Sequence, residues 1–156
     1  MPRLEDLSAI ERTTALNFPF MDHLHSPNTP LKKPLSQSKV ALLTTAGLHT
    51  RSDKPFFHGD ATFRVLPSST PAKDIMQSHV SIGFDRTPMY KDINISYPID
   101  RLQELVDKGT VGSLSESYIS FMGALRNPKR VVEETAPKAA ALLKGQGTDV
   151  VLLTPT

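Results

Sequence analysis

No cysteine occurs anywhere in the 156 residues. These residues therefore form no disulfide, present no thiolate to a metal and carry no thiol nucleophile. Long hydrophobic runs are missing too, since none approaches the ~20 residues that cross a bilayer. A secretory start is not seen, because Glu5, Asp6 and Glu11 stand where a basic and then apolar stretch belongs. The expected location is cytoplasmic. Charge of one sign is scarce: the formal net charge is +2, with no polybasic tract. Neither a nucleic acid nor an anionic membrane is an expected partner. Internal repeats and low-complexity segments are also missing.

What is there suits one globular domain. Hydrophobic residues make up 38% and charged residues 22%, enough chain and apolar content to bury a core. The 13 prolines imply extended connections. Residues 1–38 read as an irregular, proline-rich lead-in containing Pro19, Pro27, Pro30 and Pro34, with one short helix around Leu4 to Leu16. An α/β domain is expected over 39–156.

Val40 to Thr45 is a continuous apolar run ending in hydroxyls, which predicts a strand buried on both faces. Alternation predicts further strands at Thr62–Leu66 and Ser78–Phe84, and a weaker one at Tyr118–Met122. Pro98 to Gly109 predicts a helix, with Ile99, Leu102, Leu105 and Val106 on one face and glycine as the stop. Asn127-Pro128 opens a last helix towards Lys144, kinked or split at Pro137. Gly145-Gln146-Gly147 ends it, and Thr148 to Thr156 reads as a buried parallel strand. The order predicts an open, mostly parallel α/β sheet with flanking helices, Rossmann- or flavodoxin-like and incomplete at its C-terminal end.

In such a sheet the ligand crevice lies at the carboxyl ends of the strands. Thr44, Thr45, Gly47, His49 and Arg51 follow the first core strand, where small residues allow close backbone approach and His49 and Arg51 can bind a carboxylate. A plain strand-to-loop turn is the bland alternative, since one glycine is no phosphate-binding fingerprint. His79, near Asp85, Arg86 and Asp92, is a candidate acid, base or ligand, although an isolated histidine is by default structural. His23 and His25 flank one residue, but two nitrogens leave a metal incompletely coordinated. No metal site is expected. Ser113, Ser115 and Ser117 lack the G-x-S-x-G elbow. Thr154 and Thr156 either terminate the last strand or line a pocket beside Thr44 and Thr45.

Several segments together resemble a known family: Val40 to His49, Gly59 to Pro67, Ser78-His79, Asp92 to Asn94, Tyr97 to Leu105, Gly109 to Gly112, Phe121 to Gly123 and Val151 to Thr156. Residues 35–156 are similar to the selenoprotein B group of the glycine, sarcosine, betaine and D-proline reductases. The resemblance implies a substrate-binding component of a selenol- or thiol-dependent reductase. It places a selenocysteine or cysteine directly after the strand that ends here at Thr156, so the catalytic residue is expected beyond this sequence. A selenocysteine codon is also a stop codon, which would explain both the abrupt end and the missing cysteine. No other cofactor is implied.

Expected partners are a small amino-acid or N-methylated substrate and electron-donating reductase proteins. The expected binding groups are Thr44, Thr45, Gly47, His49, Arg51, His79, Asp92, Thr154 and Thr156. By itself the chain is expected to be inactive. A homo-oligomer is also expected, because an unpaired sheet edge invites a second subunit. The competing readings are a non-catalytic module for a small carboxylate or partner chain and, last, a racemase-like enzyme.

Overall fold

The computed structural model describes residues 3–17, 29–81 and 83–156. It divides into two units, residues 1–30 and 31–156. His23, His25, Pro19 and Pro27 lie outside the described residues. In the first unit, helix α1 (Ala9–Leu16) starts at a reciprocal cap: the Glu11 amide donates to Ser8 Oγ, and the Glu11 carboxylate accepts from the Ser8 amide at 3.0 Å. None of its residues is buried.

The second unit is built around β1 (Lys39–Thr44), whose Val40, Ala41, Leu42 and Thr44 are buried. A run apolar on both faces needs neighbours on both edges, and β1 has them. The next elements are β2 (Leu48–Thr50), β3 (Arg64–Pro67), β4 (Ile75–Gln77), α2 (Thr87–Lys91), α3 (Ile99–Asp107), β5 (Ser113–Leu114), β6 (Ser117–Ser120), α4 (Ala136–Gly145) and β7 (Val150–Thr154). One edge of β1 is shared in parallel by β5 at its start and β6 at its end. Its other edge takes β7, also parallel, from Val40↔Val150 to Thr44↔Thr154.

The sheet is nevertheless mixed. β3 runs antiparallel to β6, and β2 with β4 forms a separate antiparallel pair. The shown architecture is thus α/β with a mixed sheet and flanking helices.

Three local readings change. The stretch after β1, expected as a loop, contains β2, because Leu48, His49 and Thr50 pair with Gln77, Met76 and Ile75. The strand expected at Ser78–Phe84 is instead the earlier β4. Past it, the Ser78 amide donates to the Gly47 carbonyl in the same register, one last rung, and the Ser81 amide then turns to the His79 ring. Finally β7 is a strand but not a buried one: Val151, Leu152 and Leu153 are 38%, 40% and 62% exposed, with β1 as the only partner among the described residues.

Asp149 sets the β7 register. Its carboxylate accepts from the Lys39 amide at 2.7 Å and from Lys33 Nζ at 2.8 Å, and its own amide donates to the Lys39 carbonyl. The hydrogen bond from Lys33 and that from the Lys39 amide hold the carboxyl below its ordinary range. The split expected at Pro137 takes the form of a π-helical turn, Val131–Thr135, before α4, which places the proline in the first turn where no amide is missed. Ala139 and Leu143 of α4 and Leu102 of α3 join the core with Leu42, Leu66 and Ile119. Tyr97 and Tyr118 meet edge-on there at 5.9 Å, and burial raises both phenols, Tyr118 to about 12.

Candidate functional site

β1 and β7 end level with one another, and their last hydroxyls share an acceptor. Thr44 Oγ1 donates to the Ser96 carbonyl at 2.8 Å, and Thr154 Oγ1 donates to the same oxygen at 3.1 Å. Just past the strands the chains remain stitched. The Thr45 amide donates to the Thr154 carbonyl at 3.2 Å, and the Thr156 amide donates to Thr45 Oγ1 at 2.8 Å.

Two glycines permit this convergence. Gly47 has φ +65°, and a Cβ there would lie 3.2 Å from the His79 backbone and from the Met122 methyl. Its amide donates to the Phe121 carbonyl at 3.0 Å. At Gly123 a Cβ would lie 2.8 Å from the Thr156 carbonyl oxygen and 3.0 Å from that of Thr45.

A cavity of about 310 Å³ opens at this junction, lined by residues 79, 81, 83 and 84 together with Gly123, Ala124 and Thr156. His79 is its only titratable side chain and is 3% exposed. Its Nδ1 accepts from the Ser81 amide at 3.3 Å, and its ring lies 4.4 Å from that of Phe84. An imidazole that accepts at Nδ1 carries its proton on Nε2. That Nε2 is buried and has no partner among the described residues. Burial, and then the positive charge of Arg86, lowers the His79 pKa from its ordinary value.

The other sequence candidates lie elsewhere. His49 is buried on β2, its Nδ1 2.8 Å from the Thr50 carbonyl oxygen. Arg51 is exposed, bonds the Lys73 carbonyl at 3.3 Å and lines a separate cavity of about 670 Å³. Asp92 caps the turn Ile93–Ile95, and its hydrogen bonds from the Asn94 side chain and amide lower its pKa. Thus Thr44, Thr45, Gly47, His79, Thr154 and Thr156 come together, while His49, Arg51 and Asp92 do not join them. Sequence reasoning passed over Ser96 and Phe84, which carry no local signal, and did not treat Gly123 as a site residue. Among the described residues, no group of three or more His, Cys, Asp or Glu is placed to hold a metal.

Two of the segments that carry the resemblance gain structural explanations. Gly59–Pro67 folds into an ion pair, with the Arg64 guanidinium 2.9 Å from the Asp60 carboxylate and 4.2 Å from the Phe56 ring centre. Asn94 bridges Asp92 and Asp100, fixing the entry to α3.

Comparison with known proteins gives a single answer. Residues 3–156 match the family described as glycine/sarcosine/betaine reductase selenoprotein B. D-proline reductase subunit gamma of Acetoanaerobium sticklandii is 42% identical over 127 residues, covering 81% of this chain and 52% of that protein. Sarcosine reductase complex component B subunit beta of Peptoclostridium acidaminophilum is 28% identical, over 83% of this chain and 30% of that protein. Glycine reductase complex component B subunit gamma of Carboxydothermus hydrogenoformans is 27% identical, over 92% of this chain and 33% of that protein. The chain thus spans about half of the first relative and about a third of the other two. No solved structure matches it. The chain belongs to the glycine/sarcosine/betaine reductase selenoprotein B family.

Proposed function

We propose that this chain is the substrate-binding part of a selenol- or thiol-dependent reductase acting on a small amino acid or an N-methylated derivative. The observation that carries the proposal is the level ending of β1 and β7, stitched through Thr45 and Thr156, beside a cavity that Thr156 itself lines. The relatives' names supply the substrate class: D-proline, sarcosine and glycine.

In this reading a selenocysteine or cysteine follows Thr156 and supplies the nucleophile. A chalcogenolate placed there emerges at a strand end next to a cavity of amino-acid size. Thr44, Thr45, Gly47, Thr154 and Thr156 shape that position, and His79 lines the same cavity as Thr156. His49, Arg51 and Asp92 serve the surrounding structure or a second contact of the full-length protein. The 1–38 segment is a lead-in to an α/β domain at 39–156, whose parallel β5/β6–β1–β7 portion is the core of an open, doubly wound sheet.

Partner reductase proteins deliver the electrons, and the apolar β7 edge is where a second subunit docks. No described helix is long and apolar enough to cross a membrane, which suits our assignment to the cytoplasm.

The test has two arms. The nucleotide sequence after codon 156 is expected to show a stop-type selenocysteine codon or a cysteine codon followed by open frame. A protein extended through that frame is expected to reduce D-proline, sarcosine or glycine under anaerobic dithiol conditions, whereas the chain ending at Thr156 is not. Turnover by the cysteine-free chain, or a different codon at 157, would refute the proposal.

A further inference from the structure

β4 is paired along one edge only. The Arg51 amide donates to the Asp74 carbonyl at 2.9 Å and the Ser78 amide to the Gly47 carbonyl at 3.0 Å, with Met76 opposite His49 between them. Hydrogen-bonded pairs recur at every second residue of an antiparallel ladder. The backbone of Ile75 and Gln77 therefore points away from β2. On that side the Ile75 amide turns back to the Ala72 carbonyl. The Ile75 carbonyl and both the amide and the carbonyl of Gln77 have no hydrogen-bond partner among the described residues.

A groove of about 520 Å³ borders this strand, lined by Ile75, Met76 and Gln77 and, opposite, by residues 89–94. Side chains alternate between the two faces of a strand, so a groove touching three successive residues follows its edge rather than one face. No residue of β2 lines the groove, which identifies the edge as the one turned away from β2. No hydrogen bond joins residues 89–94 to β4. An unpaired edge facing a helix is the geometry in which an extended peptide adds as a further strand. The lining also carries charge. The Asp92 and Asp100 carboxylates each accept from the Asn94 side chain at 2.9 Å. Lys73 and Lys91 are exposed and enter none of the described ion pairs.

We propose that this groove is a docking site for an extended acidic segment of a partner protein, which adds as a third strand to the β2–β4 pair. The Ile75 and Gln77 carbonyls accept from two of its amides, and the Gln77 amide donates to one of its carbonyls. Its apolar side chains lie against Ile75 and Met89, and its carboxylates pair with Lys73 and Lys91. The groove shares no lining residue with the cavity at Thr156, so the inference stands apart from the substrate reading.

The test uses the whole 156-residue chain and synthetic peptides of about six residues, a common strand length. An acetylated and amidated peptide alternating valine with glutamate is expected to give saturable NMR shifts and slower hydrogen exchange at the Gln77 amide. The same peptide N-methylated at every backbone nitrogen cannot donate, and should bind about tenfold more weakly, the effect of two lost hydrogen bonds. A peptide with lysine in place of glutamate should also bind more weakly, and Lys73→Glu combined with Lys91→Glu should reverse that preference. No saturable shift at the Gln77 amide, equal affinity for the N-methylated peptide, or an unreversed charge preference would each overturn the proposal. So would protection of the Gln77 amide that grows with protein concentration and no peptide, which would give the edge to a second copy. If the double variant fails to fold, the three peptides on the unmodified chain decide the matter.

Discussion

Asp60 is where burial and pairing oppose each other most directly. Its side chain is 1% exposed and that of Arg64 13%, at 2.9 Å from one another. Burial pushes the carboxyl pKa up, but hydrogen bonds from Thr62 and the Arg64 guanidinium outweigh it and hold the value below 3.8. Removing one partner of a buried pair strands the other, at about 3–5 kcal/mol. Asp60→Asn is expected to lose an amount of that order in urea denaturation, and Asp60→Asn with Arg64→Met to lose less than Asp60→Asn alone.

The pH dependence at this scale follows from two lowered pKa values. A group whose pKa is depressed on folding stabilises fully above its unfolded value, and that contribution is lost as pH falls through the folded one. For His79 the loss begins below about 6.5, and for Asp60 only below 3.8. Urea midpoints measured against pH should therefore fall in two stages. His79→Gln should remove the upper stage alone, and an unchanged upper stage in that variant would assign it to another group.

Among the elements, the junction of β7 with β1 tolerates little change at Gly123. A methyl group at Gly123 would meet the carbonyl oxygens of Thr156 and Thr45, which are backbone and cannot turn away. Gly123→Ala is expected to cost about 1–3 kcal/mol, in the range for overpacking, and to shift the amide signals of Thr45 and Thr156 before those of β3. Denaturation and amide NMR on the same samples check both parts.

The elements also show how far the sequence was legible. β1 and α3 could be read because a double-faced apolar run and a proline-to-glycine helix frame are local signals. β2 and β4 could not, since each is three residues long and exists only through pairing with the other. Ser78–Phe84 alternates like a strand, yet after the single rung from Ser78 to Gly47 the Ser81 amide goes to a histidine ring. In β7 the apolar run reported hydrophobicity correctly but said nothing of how many neighbours the strand has. The candidate site was legible as far as the strand ends were; His79 was visible as a residue, but the bond to Ser81 that sets its tautomer was not.

For the molecule as a whole, the outer edge of β7 is apolar and without a strand partner among the described residues. Unpaired strand edges bearing large apolar side chains recruit other strands unless a charge or proline blunts them. Leu153, at 62% exposed, has neither beside it before Pro155. Light scattering is expected to show association that grows with concentration, and Leu153→Lys is expected to suppress it while leaving the urea midpoint within about 0.5 kcal/mol, as for a surface change. Association unaltered by that lysine would move the contact away from β7.

The double acceptance by the Ser96 carbonyl has a dynamic corollary. Because one oxygen tethers both threonine hydroxyls, the two strand tips cannot fray independently: whatever displaces residues 92–97 loosens both together. Native-state deuterium uptake at the Thr45 and Thr156 amides should therefore accelerate or slow in concert, as a single opening event rather than two.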